Sequence, residues 1–115
     1  MPDRTPGEIS AADVQATLLQ LTVQTVAQAI TRYAPRAREV LACGGGASNP
    51  VLMAALAAAL PCPLNTTADY GIPVHSVEAM AFAWLAQAHV QGRAACLPEV
   101  TGARHASIAG CLYPA

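Results

Sequence analysis

One segment combines the residue types of a strand end, a glycine turn and a helix start. Its members are Cys43, Gly44, Gly45, Gly46, Asn49 and Pro50. Glycines permit a positive φ and the close approach of a ligand that a Cβ would block. Asn49 fits the N-cap and Pro50 the first helical turn, so free N–H groups and the positive dipole end face an anion such as a nucleotide phosphate. A purely steric reason for the glycines is an equally open alternative.

A lone acidic residue stands in an apolar stretch further along the chain. Glu78 falls in the first turn of a helix predicted from about Ser76 to Val90, one turn before Phe82. Its side chain is either desolvated or directed into a cleft, which makes it a candidate binding residue. A first-turn glutamate is also stabilised by the helix dipole alone, and on the residues alone this second interpretation is preferred.

The remaining reactive side chains match no catalytic or metal-binding pattern. The cysteines are Cys43, Cys62, Cys96 and Cys111. They form no Cys-x-x-Cys pair, and no histidine lies near them at the spacing of a metal ligand. We predict reduced thiols packed as small apolar residues, with no metal site. His75 is compatible with capping the helix after it, binding a ligand or neither, while His89 and His105 are predicted at the surface. Met80 and Trp84 are predicted to lie in the core.

The composition describes a small apolar chain with almost no net charge. Its 115 residues are enough for one domain with a core, and 6 basic against 7 acidic residues give a net charge of −1. The chain therefore has no basic stripe for nucleic acid or for an anionic membrane. Hydrophobic residues reach 54% and charged residues only 11%, so we expect apolar surface that a partner covers.

No segment has the pattern of a membrane span or a secretory signal. The longest apolar stretch, Val51 to Leu60, is about half of the roughly 20 residues that a bilayer span requires. The first residues lack a basic region followed by an apolar run. We therefore expect a cytoplasmic chain, in which residues 1–9 are disordered and residues 10–115 form the folded part.

The first predicted helix has a start signal, a stop signal and an apolar stripe. Ser10 and Asp13 resemble a capping box, and apolar residues recur at steps of three and four up to about Tyr33. Pro35 then ends the helix. A second apolar set lies on an adjacent face and comprises Val14, Leu18, Leu21 and Thr25. The helix is therefore predicted to be covered on more than one side.

The rest of the pattern alternates short strands with helices. We predict strands at 38–43 and 64–67, helices at 50–60 and 76–90, a turn at 69–71 and a loop around Pro98 to Gly102. Gly92 fits the position that ends the last of these helices. Residues 107–113 are compatible with either a final strand or a helical turn. The predicted fold class is α/β, with helices packed on a small sheet.

Several of these stretches occur, in the same order, in one enzyme family. They are residues 13–18 and 21–22, CGGGASNPVLM from Cys43 to Met53, residues 71–72, VEAMAFAWLA from Val77 to Ala86, LPEVTGA from Leu97 to Ala103, and residues 112–114. Together they cover nearly the whole chain from about Ser10. The chain resembles the C-terminal part of the anhydro-N-acetylmuramic acid kinases, members of the sugar kinase, heat-shock protein 70 and actin superfamily.

The resemblance implies a kinase of two actin-like (ribonuclease H-like) lobes, of which this chain supplies one incomplete ATPase lobe. Such an enzyme uses ATP and Mg²⁺ to open a 1,6-anhydro amino sugar by water attack and to phosphorylate its 6-oxygen, in cell-wall recycling. By the same resemblance, Gly44, Gly45 and Gly46 fall on the nucleotide-side glycine motif. Asn49 falls on its helix cap, and Glu78 falls on the glutamate that faces the sugar. Phosphoryl transfer needs both a phosphate cradle and a group that holds the acceptor.

The chain departs from the family pattern in two respects. His75 and Ser76 stand where the family usually has Asp-Ala, so we expect the local charge to differ. The N-terminal phosphate loop of the type Gly-Thr-Ser-x-Asp-Gly and the later aspartate that serves as catalytic base have no counterpart here. We therefore expect a truncated chain that is inactive alone and works with a missing N-terminal lobe or as a homo-oligomer.

Two other interpretations are open at this point. A non-catalytic nucleotide-binding or interaction module would keep the fold without the reaction. A dinucleotide-binding oxidoreductase fragment is weaker, because Gly44-x-Gly46 with Asp69 downstream only partly matches that fingerprint. Asn49 occupies the position of the third glycine, and two prolines interrupt the strand expected before Asp69.

Overall fold

The computed structural model describes residues 9–113, so the predicted disorder of residues 1–9 lies outside the described residues except for Ile9. The chain divides into two compact units, the first ending at Val74 and the second beginning at His75. The described secondary structure is a small α/β arrangement of helices and a two-stranded parallel sheet. Within residues 9–113 no helix has both the length and the apolar character that a membrane crossing requires.

Helix α1 extends over Ala11–Tyr33, as its sequence signals predict. The hydroxyl of Ser10 accepts the N–H of Asp13 at 3.1 Å, and the carboxylate of Asp13 accepts the N–H of Ser10 at 3.1 Å. This reciprocal pair is the predicted capping box. Ala34 caps the other end, directly before Pro35, which disfavours a helical conformation in the residue that precedes it. Local signals therefore determine both ends of α1.

Two short strands pair in parallel in the first unit. Strand β1 is Val40–Ala42 and strand β2 is Leu64–Thr66, with Val40 opposite Leu64 in the register. Helix α2, Pro50–Ala59, lies between them in the chain and provides the crossover that parallel neighbours need. Both strands are shorter than predicted, and their pairing was not predictable from the sequence.

The core of the first unit brings α1 and α2 against one face of the sheet. Val23, Leu56 and Leu60 are its buried side chains, exposed by only 2%, 9% and 9%. Half-buried apolar side chains surround them, namely Leu19, Ala27, Ile30, Val40, Leu52, Ala55 and Leu64. Each fully buried side chain of this size contributes about 1.5–3 kcal/mol. This core therefore positions α2 and the turn that leads into it.

The second unit is built on helix α3, which extends over Val77–Val90. Gly92 follows it with φ +65°, as predicted for the residue that ends the helix. Its N–H donates to His89 O at 3.0 Å, while Arg93 N–H donates to Ala88 O at 2.8 Å. These two hydrogen bonds form a Schellman motif, which satisfies carbonyl groups at the end of α3.

The loop predicted around Pro98 is wrong in part, because a short helix, α4, forms over Pro98–Thr101. The proline stands in the first turn, where its missing N–H is tolerated, and Gly102 ends the helix in the left-handed conformation. Residues 107–113 form neither of the two elements considered for them. Within that stretch the structure shows only an isolated antiparallel bridge from Ser107 to Cys96.

Several apolar side chains predicted to be covered are exposed. Leu18 and Leu21, on the second apolar face of α1, are exposed by 53% and 56%, so cover on that face is absent within the described residues. Met80 and Trp84, predicted to lie in the core, are exposed by 54% and 49%. Periodicity shows which positions are apolar, whereas burial depends on whether a neighbouring element is present to cover them.

Truncation of the buried Leu56 tests this assignment of the core. We expect Leu56→Ala to lower the free energy of unfolding by about 2–5 kcal/mol, because it leaves a cavity between α1 and α2. The matched control is Leu18→Ala on the exposed face, for which we expect a change within about 0.5 kcal/mol. Urea denaturation followed by circular dichroism measures both variants, and equal losses at the two positions would contradict the assignment.

Candidate functional site

The glycine segment connects β1 to α2 through a turn and a short 3₁₀-helix. Gly44 has φ +79° and ψ −173°, a backbone conformation open essentially to glycine alone. The 3₁₀-helix covers Gly45–Ser48, and Asn49 follows as the N-cap of α2. The side-chain oxygen of Asn49 accepts the N–H groups of Val51 and Leu52 at 3.0 and 3.2 Å. The predicted order of strand, glycine turn and capped helix is therefore observed.

The N–H groups of the three glycines differ in what they bind. The N–H of Gly44 donates to the carbonyl of Val74 at 2.8 Å, so this donor is already used. The N–H groups of Gly45 and Gly46 have no acceptor among residues 9–113, and both residues are exposed. The free N–H groups predicted at the start of α2 itself are not observed, because Pro50 has none and those of Val51 and Leu52 are bonded to Asn49. The unpaired donors lie instead on the 3₁₀-helix before α2.

Only one of these glycines is demanded by the fold itself. Gly44 needs its positive φ. A Cβ built on Gly45 meets no heavy atom within 4 Å, and one built on Gly46 meets only a side-chain carbon of Leu52 at an ordinary 3.5 Å. The steric explanation therefore accounts for Gly44 and leaves Gly45 without a structural reason among residues 9–113.

A shallow groove of about 410 Å³ lies beside the cap of α2. Its walls come from α1 and from the start of α2, and the lining residues are Gln15, Ala16, Leu18, Leu19, Thr22, Asn49, Val51 and Leu52. Most of these side chains are apolar, while amide and hydroxyl groups stand among them. The groove reaches Asn49, the residue that directly follows the 3₁₀-helix of the glycine segment.

Glu78 lies in the first turn of α3 and is exposed. Its carboxylate is therefore not desolvated, and the structure favours stabilisation by the helix dipole. Ser76 occupies the N-cap position, although its side chain accepts no hydrogen bond from the helix. A role of Glu78 toward a sugar stays a prediction.

Two expectations about the other reactive side chains need correction. His89 is half-buried rather than at the surface, because its Nδ1 lies 3.0 Å from the carbonyl oxygen of Ala109. Cys43 and Cys111 are exposed rather than packed, while the other two thiols are half-buried. Across the described range no group of three or more potential metal ligands comes together.

Asp69 is engaged in local hydrogen bonds. Its Oδ2 accepts the N–H and the hydroxyl of Thr66 at 2.7 and 2.8 Å, and these bonds hold the pKa of Asp69 below its usual range. The bond from the Thr66 N–H is one half of a capping box for the 3₁₀-helix Thr67–Tyr70, and in the other half the Thr66 side chain accepts the N–H of Asp69. The dinucleotide interpretation needs this carboxylate for a ribose, so its local engagement speaks against that interpretation.

A polar cluster that the sequence did not reveal lies at the start of β1. The carboxylate of Glu39 accepts the hydroxyl of Tyr70 at 2.5 Å and the side-chain amide of Asn65. These hydrogen bonds hold the pKa of Glu39 below its usual range, and the bond from Tyr70 has the larger effect. The same contact with Glu39 raises the pKa of Tyr70. Sequence separations of 26 and 31 residues leave no local signal for this cluster.

Comparison with known proteins identifies similar chains across almost this whole length. A family model described as anhydro-N-acetylmuramic acid kinase matches residues 3–115. An anhydro-N-acetylmuramic acid kinase of Bordetella avium is 56% identical over 107 residues, which is 93% of this chain and 28% of that protein. A protein of the same name from Xanthomonas axonopodis pv. citri is 54% identical over 108 residues, which is 93% of this chain and 29% of that protein. The chain thus spans less than a third of the length of these curated relatives.

Removal of the Tyr70 hydroxyl tests the cause of the Glu39 shift. In Tyr70→Phe we expect the pKa of Glu39 to rise toward its ordinary 4.5, measured by NMR titration of the carboxyl carbon. Because the folded-state pKa lies below the unfolded one, the cluster stabilises the fold above the unfolded pKa. That stability is lost as the pH falls through the folded pKa. Tyr33→Phe is the matched control, and an equal shift in both variants would refute the assignment.

Proposed function

The chain belongs to the anhydro-N-acetylmuramic acid kinase family, and from this premise we propose that it supplies the C-terminal part of a kinase for 1,6-anhydro-N-acetylmuramic acid. The reaction opens the anhydro ring with water and transfers a phosphoryl group from ATP to the 6-oxygen. The product is N-acetylmuramic acid 6-phosphate. We propose further that the chain forms part of an actin-like lobe, serves in cell-wall recycling and is located in the cytoplasm.

The observation that carries this proposal is the glycine turn at the start of α2. The unpaired N–H groups of Gly45 and Gly46 are exposed, and successive backbone N–H groups in a turn can bind an anion. Gly44 provides the backbone conformation that turns the chain toward the helix, and Asn49 caps that helix. We therefore assign these four residues to the binding of the ATP phosphates.

ATP and Mg²⁺ are the cofactors of the proposed reaction. The free donors of the glycine turn fit the phosphates of ATP. Mg²⁺ is commonly held by one or two carboxylates together with substrate phosphates, and it neutralises charge on the transferred phosphoryl group. The part of this chain is to bind the nucleotide and orient it, which is the main contribution of protein groups to phosphoryl transfer.

For Glu78 we propose a contact with the amino sugar. Its exposed carboxylate at the start of α3 is an acceptor for a sugar hydroxyl or for the N–H of an acetamido group. His75 and Ser76, which precede it in place of the Asp-Ala usual in the family, give this stretch its own local charge.

We also propose that these residues act together with a second lobe or a second copy. The exposed apolar faces of α1 and α3 are surfaces that another polypeptide covers. The phosphate loop and the catalytic aspartate of the family are absent from these 115 residues, so the proposal places the catalytic base on the other lobe. The 115-residue chain alone is then inactive.

The phosphate assignment is tested by adding a methyl group at Gly45. Since a Cβ there meets no protein atom within 4 Å and φ is not positive, we expect Gly45→Ala to melt at an unchanged temperature. A phosphate that approaches the N–H groups would meet the new methyl, so we expect ATP affinity to fall at least about tenfold, a change of 1.4 kcal/mol. Calorimetric titration measures the affinity, and unchanged binding in Gly45→Val as well would refute the assignment.

An activity assay tests the proposed division of labour. The purified chain, mixed with ATP, Mg²⁺ and anhydro-N-acetylmuramic acid, is expected to give no turnover. We then add a second polypeptide that carries the part of the Bordetella avium relative outside the matched region. This addition is expected to restore phosphorylation. Robust turnover by the chain alone would contradict the division. ATP binding without phosphorylation, even in the mixture, would favour a non-catalytic nucleotide-binding module.

A further inference from the structure

The segment after β2 reaches back to the glycine turn. The carbonyl of Val74 accepts the N–H of Gly44 at 2.8 Å. Gly44 is the residue whose conformation starts the turn, and the two unpaired donors follow it directly. The position of Val74 therefore influences where the donors of Gly45 and Gly46 lie.

The same segment is anchored at its other end on β1. The hydroxyl of Tyr70 donates to one carboxylate oxygen of Glu39 at 2.5 Å, and Glu39 directly precedes β1. Asn65, in β2, donates to the other oxygen. Both oxygens of one carboxylate are thus bonded, and they connect the start of β1 with β2 and with the 3₁₀-helix after it.

Little freedom remains between the two anchors. The N–H of Gly71 donates to the carbonyl of Ala68 at 2.9 Å, and the N–H of Ile72 donates to the carbonyl of Thr67 at 3.0 Å. Four residues lead from Tyr70 to Val74, a distance of at most about 14 Å in a fully extended chain. A displacement of Tyr70 is therefore transmitted to Val74 over a short and partly bonded path.

We propose that Glu39 and Tyr70 are a positioning pair for the glycine turn. Their hydrogen bond holds the segment that ends at Val74, and the Val74 carbonyl in turn holds Gly44 and the donors that follow it. Both residues act through Val74 and not by touching a ligand. The effect on ATP rests on the proposed function, whereas the effect on the turn does not.

Tyr70→Phe separates this role from general stability. Tyr70 is exposed by 60%, so the variant keeps the ring and removes little packing. We expect the amide hydrogen of Gly44 to exchange about three- to tenfold faster, as expected for the loss of one hydrogen bond to a carboxylate. The amide of Val23 in the core of α1 is expected to be accelerated less than that of Gly44. Tyr33→Phe, at a tyrosine exposed by 76%, is the matched control and leaves both rates unchanged.

A double variant identifies the partner. Because both substitutions remove the same hydrogen bond, Glu39→Ala combined with Tyr70→Phe is expected to speed exchange at Gly44 no more than Glu39→Ala alone. Additive effects would overturn the pairing. Unchanged exchange at Gly44 in Tyr70→Phe, or an equal acceleration at Val23, would overturn the positioning role.

The nucleotide arm uses ATP with Mg²⁺ in calorimetric titrations of the full 115-residue chain. We expect a Kd about three- to tenfold higher in Tyr70→Phe than in the wild type, measured at a temperature at which both chains are folded. Faster exchange at Gly44 with an unchanged Kd would overturn the effect on ATP. A wild-type chain that binds no ATP refutes the proposed function, and the exchange rates still decide whether the pair positions the turn.

Discussion

The backbone conformation of Gly44 is the constraint on which the described site depends. With φ +79° and ψ −173°, this residue occupies a region that side-chain-bearing residues avoid. It redirects the chain from β1 into the 3₁₀-helix, so that Asn49 reaches the first turn of α2 and the next two N–H groups stay unpaired. Without this turn, β1 would not lead into a capped helix whose start faces solvent.

A small apolar core and one hydrogen bond hold this turn in place. Val23, Leu56 and Leu60 hold α1 and α2 on one face of the sheet, and the Val74 carbonyl holds Gly44 from outside the turn. These contacts limit how far the glycine turn can rearrange. The chain thus combines a well-defined glycine turn that has two unpaired donors with apolar surface that its own described residues leave exposed.

These two features agree with the family to which the chain belongs. Phosphoryl transfer depends on groups that orient the nucleotide and the acceptor and on groups that stabilise charge, and these groups need not come from one compact unit. The chain spans 28% of the Bordetella avium relative, and apolar residues of α1 and α3 are exposed in its described part. The exposed apolar residues are therefore as informative as the buried ones.

The sequence by itself determined the elements whose causes are local. The capping box of Ser10 and Asp13, the Asn49 cap and the Gly92 ending each act within about four residues, so their signals are readable in the chain. The family was also recognisable, because its motifs recur in order. The order of strand, glycine turn and capped helix was readable for the same reason, since the three glycines and the cap are close in sequence.

Tertiary structure alone decided the contacts between distant residues. Three contacts join residues that are far apart in sequence. They are the parallel pairing of β1 and β2, the cluster of Glu39, Asn65 and Tyr70, and the hydrogen bond from the Gly44 N–H to the Val74 carbonyl. The exposure of Trp84 was likewise not predictable from the sequence. Local patterns record which residues are apolar or polar, whereas partners and burial arise only when separate elements meet in space.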